Sequence, residues 1–165
     1  MEALRSPESS PNLRKVTLAF PVKENEVLLA YKKRGFGVGK WNGVGGKCME
    51  NESIVDAMIR ETQEEIGIIP VEYMKVAILN FYFPEVSPDK GLDQQASVYL
   101  ILNWEGTIHE SEEMFPQWFN IDRIPFSNMW TDDNLWLPYV LKGKFVNADF
   151  YFDRDQNVRD SNIRF

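Results

Sequence analysis

Three glutamates lie close together in a segment whose apolar residues follow the period of a helix. Glu61 and Glu65 are one turn apart and fall beside the apolar stripe, with Glu64 next to them. Like charges at this spacing destabilise a helix, and desolvation beside apolar residues is costly. We expect Arg60, the nearest cation, to point to another side. A solvated acidic face is one interpretation; a bound divalent cation, which prefers clustered carboxylates, explains the position better.

A glycine-rich stretch leads into this segment. Residues 34–47, RGFGVGKWNGVGGK, contain six glycines, which excludes a helix or an ordinary strand and indicates a shaped loop. Glycines let the backbone approach a ligand closely, and the amides of such turns can bind phosphate. Most glycine loops only turn the chain, but one that enters an acidic helix favours a phosphate site.

Composition excludes several other kinds of site. The chain has one cysteine, Cys48, and one histidine, His109, so neither an intramolecular disulfide nor a Cys/His zinc site is possible. We expect Cys48 to be a packing residue and His109 to lie at the surface. The net charge of −7 disfavours a nucleic-acid polymer as partner. Without a signal peptide or an apolar run of about 20 residues, the sequence predicts a soluble, cytoplasmic protein with no membrane partner.

The elements that must position these residues follow from periodicity and turn signals. Residues 1–13 are predicted to be a disordered tail and residues 14–165 one domain. Strands are predicted at 16–22, 26–32, 73–83, 95–104, 117–121 and 144–153. Helices are predicted at 53–67, from an N-cap at Ser53 to Gly67, and at 131–143, where Pro138 conflicts with a helix. This order predicts an α/β fold, a mixed β-sheet with helices on both faces in a three-layer α/β/α sandwich.

The spacing around the glutamates resembles the signature of a known family. Gly46 is followed at fixed intervals by the residues that make up the Nudix box of the Nudix hydrolases: Glu52, Arg60, Glu61, Glu64, Glu65, Gly67 and Ile68. Thr62 departs from the pattern, since the family usually has an aliphatic residue there. The resemblance implies the Nudix sandwich fold and hydrolysis of a nucleoside diphosphate linked to another group, with Mg²⁺ or Mn²⁺ as cofactor.

The same resemblance implies catalytic and metal-binding roles. Glu61, Glu64 and Glu65 are expected to hold the metal, together with the Gly45 carbonyl and the distant Glu113. Arg60 is expected to orient the glutamates, and Glu52 to support the loop or a metal-bound water. For the general base, Glu65 is the first choice and Glu113 the second.

The similarity extends to residues 32–47, 110–126 and 129–138 and breaks at 84–94. These segments resemble the animal branch of the family that clears oxidised purine nucleoside triphosphates, such as 8-oxo-dGTP and 2-hydroxy-dATP, from the nucleotide pool. Trp130 is expected to stack on the base while Asp132 and Asp133 read its edge. Asp132 and Asp133 could also be only helix N-caps, and Thr131 stands where proline is expected. The other substrate-binding residues implied are Thr17, Lys32, Phe36, Asn42, Val44, Gly45, Gly46, Lys47, Phe81 and Thr131.

These inferences predict a monomeric enzyme that acts on a small-molecule nucleotide, releasing the monophosphate and pyrophosphate. Two alternatives stay open. A Nudix enzyme could act on an alkylated purine triphosphate, an unmodified dNTP or a capped nucleotide. A non-catalytic nucleotide-binding module is disfavoured, because such modules typically lose box glutamates.

Overall fold

One mixed sheet organises the chain. The computed structural model describes residues 13–165, so the predicted tail lies outside the described residues except for Leu13. Within them the elements are β1 Arg14–Lys23, β2 Glu26–Lys32, β3 Trp41–Asn42, α1 Ile54–Ile66, β4 Ile69–Tyr82, β5 Gln94–Glu105, β6 Met114–Asn120, α2 Asp133–Leu141, β7 Val146–Phe152 and β8 Val158–Arg164.

The strand order brings distant parts of the chain together. It runs β3-β2-β1-β5-β4-β7-β8, and β6 pairs with β2 outside this path. β1 and β5 are parallel, as are β4 and β7, while the other neighbouring pairs are antiparallel. The sheet is therefore mixed, as predicted.

Two hydrophobic cores lie on opposite faces of the sheet. One contains Met58 and Ile66 of α1, and the other contains Trp136 and Leu137 of α2. β1 contributes alternate residues to each, because successive side chains of a strand point to opposite faces. The predicted three-layer α/β/α sandwich is confirmed.

The helix α1 begins and ends where the sequence predicts. The Ser53 hydroxyl accepts a hydrogen bond from the Asp56 amide at 3.1 Å, and the chain leaves the helix at Gly67, whose φ is 80°. These caps satisfy backbone groups that the helix ends leave unpaired. The start of the glutamate helix is thereby fixed at Ile54, and residues 48–53 connect it to the glycine loop.

The second helix is shorter than predicted. α2 spans Asp133–Leu141 with Pro138 inside it, and the buried side chains of Trp136, Leu137 and Val140 hold it against the sheet. Asp132 occupies the N-cap position but makes no capping hydrogen bond. Within residues 13–165, neither helix has the length and apolar character needed to cross a membrane.

Candidate active site

Glu65 is a buried carboxyl at the junction of α1 and the glycine loop. Its side chain is 3% exposed, and its Oε2 accepts a hydrogen bond from the Gly45 amide at 2.9 Å. Burial raises the pKa of Glu65 to about 8; the charges of Glu61 and Glu113 add to this, while the Gly45 hydrogen bond opposes it. The predicted position of Glu65 beside the apolar stripe is confirmed, and its burial makes a proton or a cation necessary there.

Glu61 lies beside it, directly under the glycine loop. A Cβ atom at Gly46 would be 2.6 Å from Glu61 Cδ, so only glycine lets the loop approach this carboxylate. Burial raises the pKa of Glu61, and the charges of Glu64 and Glu113 act in the same direction. Glu113 is thus close enough to act on both glutamates, although it comes from the segment before β6.

Arg60 contacts the glutamates, as the family resemblance implies, although its position on the helix alone predicts that it points to another side. Its Nη1 donates to Glu61 Oε1 at 3.0 Å and to Glu64 Oε2 at 3.3 Å. Its Nε and Nη2 donate to the two carboxylate oxygens of Glu52 at 2.8 and 3.0 Å. The helical period fixes only the direction of the Cα–Cβ bond. The long Arg60 side chain reaches back along the helix surface to these partners.

The Arg60 contacts join α1 to the glycine loop. Nη2 also donates to the Lys47 carbonyl at 3.1 Å, and Glu52 accepts from the Met49 amide at 3.0 Å. The hydrogen bonds from Arg60 are the main reason that the pKa of Glu52 is lowered to about 2. Arg60 therefore holds both the catalytic candidates and the loop that carries Gly45 and Gly46.

The donor chemistry fits a hard divalent cation, because Glu61, Glu64, Glu65 and Glu113 offer only carboxylate oxygens near one backbone loop. The predicted ligands are not preassembled: no three potential metal-binding side chains converge in residues 13–165. Arg60 pairs with Glu61 and Glu64, and the Gly45 amide holds Glu65. A cation would have to draw these carboxylates from their present partners.

A cavity of about 430 Å³ opens between the glycine loop, the sheet and the start of α2. It brings together residues that are far apart in the sequence, and most of the predicted substrate-binding residues line it. These are Thr17, Lys32, Phe36, Asn42, Gly45, Gly46, Lys47, Phe81, Trp130, Asp132 and Asp133.

Two predicted substrate-binding residues do not line the cavity. Val44 is 1% exposed in the core, and its amide and carbonyl both bond Ala19. The Thr131 hydroxyl instead accepts a hydrogen bond from the Val158 amide at 2.8 Å, at the start of β8. Val44 thus supports the loop and Thr131 anchors the chain before α2, and neither faces the space a ligand could fill.

The aspartate pair is buried at the cavity wall. Asp132 and Asp133 are each 2% exposed, and Asp132 Oδ2 accepts from Trp136 Nε1 at 2.8 Å. Nothing in residues 13–165 gives Asp133 Oδ2 a hydrogen-bond partner. Burial raises the pKa of Asp132 to about 6, and burial with the neighbouring Asp132 charge raises the pKa of Asp133 well above its usual range. Near neutral pH the pair can offer one acceptor and one donor.

Aromatic rings form another part of the wall. Phe36 lies 5.1 Å from Trp130 between ring centroids, and Lys40 Nζ lies 5.5 Å from the Trp130 centroid. A Cβ at Gly37 would be 3.3 Å from Trp130 Nε1, so the glycine loop packs directly on the indole. A flat ring could stack against this surface with polar edges directed to the aspartates.

Sequence reasoning missed several residues that line the cavity, among them Arg14, Lys40, Phe83, Leu92, Gln94 and Phe152. Arg14 and Gln94 meet because β1 and β5 are parallel neighbours. No local pattern signals such pairing, although the break in the family similarity at 84–94 marks this loop as unusual.

Comparison with known proteins adds to this geometry. The NUDIX domain model matches residues 12–140. The chain is 45% identical over 137 residues to the oxidized purine nucleoside triphosphate hydrolase of Danio rerio, covering 83% of this chain and 85% of that protein. It is 39% identical over 151 residues to the protein of the same name from Mus musculus, covering 92% and 94%. A crystal structure of the mutator MutT protein from Bacillus halodurans superposes with a TM-score of 0.77 at 25% identity, covering 92% of this chain and 97% of that one.

Proposed function

The chain is a hydrolase of the Nudix family, and from this premise we propose that it converts oxidised purine nucleoside triphosphates, such as 8-oxo-dGTP and 2-hydroxy-dATP, into the monophosphate and pyrophosphate. The names of the Danio rerio and Mus musculus relatives support this substrate class. Such an activity would remove oxidised precursors before they enter DNA.

One observation carries the proposal. Gly45 and Gly46 line the cavity, and the same two residues contact Glu65 and Glu61. A nucleotide whose base lies among the aromatic rings and aspartates would therefore have its phosphates within reach of the glutamate helix. The base site and the hydrolytic site belong to one continuous surface.

Nudix hydrolases generally need divalent cations, and we assign Mg²⁺ or Mn²⁺ to Glu61, Glu64, Glu65, Glu113 and the Gly45 carbonyl. When bound, such cations neutralise phosphate charge and lower the pKa of a coordinated water. The chain itself supplies orientation, since Arg60 fixes Glu61 and Glu64 against the loop.

Glu65 is the group best placed to take the proton from the attacking water. Burial raises the pKa of Glu65 to about 8 in the metal-free chain, so this carboxyl binds a proton readily where the attacking water would lie. The Gly45 amide holds one carboxylate oxygen, which leaves the other available. Glu113 remains the second candidate, because its charge acts on the same site.

The aspartates would read the base. An ionised Asp132 accepts a hydrogen bond and a protonated Asp133 donates one, a combination that suits the polar edges of both oxidised guanine and oxidised adenine. Asn42 adds donors, since its Oδ1 accepts from the Gly43 amide at 2.8 Å and its Nδ2 has no hydrogen-bond partner within residues 13–165. Stacking on Trp130 would hold the ring in plane.

Steady-state hydrolysis tests the proposal. Purified protein with Mg²⁺ is offered 8-oxo-dGTP, 2-hydroxy-dATP, an alkylated purine triphosphate, unmodified dGTP and dATP, and a capped nucleotide, and products are identified. We expect the highest kcat/KM for the two oxidised purines, with monophosphate and pyrophosphate as products. Preference for any other member would reject this substrate assignment.

A variant tests whether the glutamate helix is catalytic at all. Glu65→Gln keeps the shape and an acceptor for the Gly45 amide but cannot take a proton, so kcat should fall by about two orders of magnitude or more. Unchanged turnover would reject Glu65 as the base. Absence of turnover in the wild type, with nucleotide binding retained, would support a non-catalytic binding module.

The proposal also includes the oligomeric state of the enzyme and its cellular compartment. We propose a cytoplasmic monomer acting on free nucleotides, consistent with a net charge of −7 that disfavours nucleic-acid polymers. Sedimentation of the purified chain checks the monomeric state.

A further inference from the structure

We propose that Arg14 is a substrate-contacting residue that binds the two terminal phosphates and so selects nucleoside triphosphates over monophosphates. This inference rests on the proposed function, since it assigns a specificity-determining contact to the same cavity. Arg14 lies outside the Nudix box, at the first position of β1.

The alternation of side chains along β1 directs Arg14 towards the cavity. Arg14, Val16 and Leu18 alternate along the strand and all line the cavity wall. Lys15, between them, points to the other face of the sheet, where its Nζ donates to Gln95 Oε1 at 2.6 Å. Two adjacent cations on one strand therefore have separate surroundings, and of these two Arg14 is the one that lines the cavity.

The loop after β4 leaves room for the guanidinium. Gly91 lines the cavity beside Arg14, and a Cβ atom at Gly91 would collide with Arg14 Nη2. The φ of Gly91 is +63°, which L side chains rarely adopt. A larger residue would push the guanidinium out of its place, so this glycine keeps Arg14 against the cavity wall.

Within residues 13–165, the charge of Arg14 has no counter-ion. The four basic residues of the cavity, Arg14, Lys32, Lys40 and Lys47, form no ion pair with any carboxylate of residues 13–165. Unpaired cations gathered in one cavity indicate an anionic ligand.

The position of Arg14 indicates which part of the ligand it meets. Val16 bridges Lys47, and the Cys48 amide bonds the Lys15 carbonyl, so the backbone at the start of β1 runs beside the segment that leads from the cavity to α1, while the guanidinium lies at Gly91. Asp132 and Asp133 lie at the start of α2 instead. Phosphates that extend from the Gly45–Lys47 loop would thus pass Arg14, and a guanidinium binds phosphate through two parallel hydrogen bonds.

Binding measurements with a matched pair of variants test the proposal. Arg14→Met and Lys15→Met each remove one positive charge from neighbouring positions of β1. Isothermal titration with Mg²⁺ gives Kd for the α,β-imido analogue of 8-oxo-dGTP and for 8-oxo-dGMP. We expect Arg14→Met to raise the Kd of the triphosphate analogue by about tenfold or more and to change the Kd of the monophosphate by no more than about twofold. Lys15→Met should bind both like the wild type.

Each other outcome overturns the proposal. Equal weakening of both ligands would mean that Arg14 contacts the nucleoside part, and unchanged binding of both would mean that it contacts no ligand. Equal effects of the two variants would mean a general charge effect. Thermal unfolding verifies that both variants fold. Hydrolysis of the nucleotide panel by the wild type judges the proposed function separately: an active wild type with an indifferent Arg14→Met rejects this inference alone.

Discussion

At the scale of single residues, Glu65 combines burial with charge. The folded chain holds its proton up to a pKa of about 8, whereas the ordinary value is 4.5. Between these values the folded state binds a proton that the unfolded state has lost, so rising pH removes stability, and the loss is complete above about pH 8. A cation that replaces the proton would remove this cost, which gives the metal-free protein a testable property.

We therefore predict that Glu65→Gln makes the metal-free protein more stable at alkaline pH. The stability gain over the wild type should grow from near zero at pH 4.5 to roughly 2–4 kcal/mol at pH 8, because glutamine stays neutral. Urea unfolding in EDTA at several pH values measures it. Glu72→Gln, at an exposed position of β4, is the control and should follow the wild type. A parallel pH dependence of Glu65→Gln and wild type would contradict the prediction.

Asp132 and Asp133 should contribute unequally to the discrimination between the two oxidised purine bases. Asp132 accepts from Trp136 and ionises at about pH 6, while Asp133 keeps its proton. Asp133→Asn retains a donor, so it should cost less than Asp132→Asn, which removes the charged acceptor. We expect the ratio of kcat/KM for 8-oxo-dGTP to that for 2-hydroxy-dATP to change by about tenfold in at least one variant. Equal losses on both substrates would count against distinct roles.

The local sequence predicts the position of some site residues and not of others. Fixed spacing was sufficient to identify Glu61 and Glu65 beside buried surface, because helical periodicity is local. Val44 and Thr131 lie away from the cavity wall, which their sequence could not show, since their backbone and hydroxyl contacts depend on β1 and β8. Arg14 was missed for the same reason: only strand pairing and the loop at Gly91 bring it to the cavity.

At the scale of elements, one arginine joins the helix α1 to the loop before it. Arg60 reaches Glu52, Glu61, Glu64 and the Lys47 carbonyl through its planar fork of donors. A lysine would preserve the charge but could not make these contacts together. The relative position of helix and loop, and with it the geometry of the candidate metal ligands, depends on this side chain.

We predict that Arg60→Lys raises the Mg²⁺ concentration needed for half-maximal activity by about 10-fold or more, as expected when a residue that orients metal ligands is lost. Magnesium titrations of turnover measure the effect. Arg154→Lys is the control, because Arg154 is 83% exposed and lies 3.9 Å from Glu85 on the surface. Similar magnesium requirements for both variants would show that Arg60 does not orient the ligands.

The elements themselves were predictable where they carry apolar periodicity. β1, β2, β4, β5 and β7 were confirmed in outline, and α1 was confirmed with both of its ends. β8 was not predicted, because VRDSNIR is an exposed, largely polar edge strand without an alternating buried face. In α2, burial of Trp136 and Leu137 outweighs the cost of Pro138, an effect of packing that propensity alone does not contain.

At the scale of the whole molecule, strand order decides which side chains meet. A chain of polar contacts crosses five strands on one face of the sheet, from Lys15 through Gln95 and Asn80 to Asp149 and Arg164. Its members lie up to 149 positions apart in sequence. Composition and periodicity could predict the mixed sheet, but they could not predict this order or the contacts it creates.

These polar contacts across the sheet should let β8 contribute to the free energy of unfolding. Arg164 Nη1 donates to Asp149 Oδ2 at 3.1 Å, and Asp149 is only 4% exposed in its side chain. Arg164→Met would leave that buried carboxylate without its cation, so we expect a loss of about 1–2 kcal/mol of unfolding free energy, since Arg164 is partly exposed. β8 contributes no residue to the cavity wall, so kcat and KM should not change.

A second arginine of the same strand provides the control for this prediction. Arg159 lies 3.8 Å from the surface carboxylate of Glu85, and Arg159→Met should change stability by no more than about 0.5 kcal/mol. Urea unfolding of the two variants compares a cation that neutralises a buried charge with one that meets an accessible charge. Equal losses would mean that β8 is held by its backbone ladder with β7, and that the polar chain across the sheet adds no stability of its own.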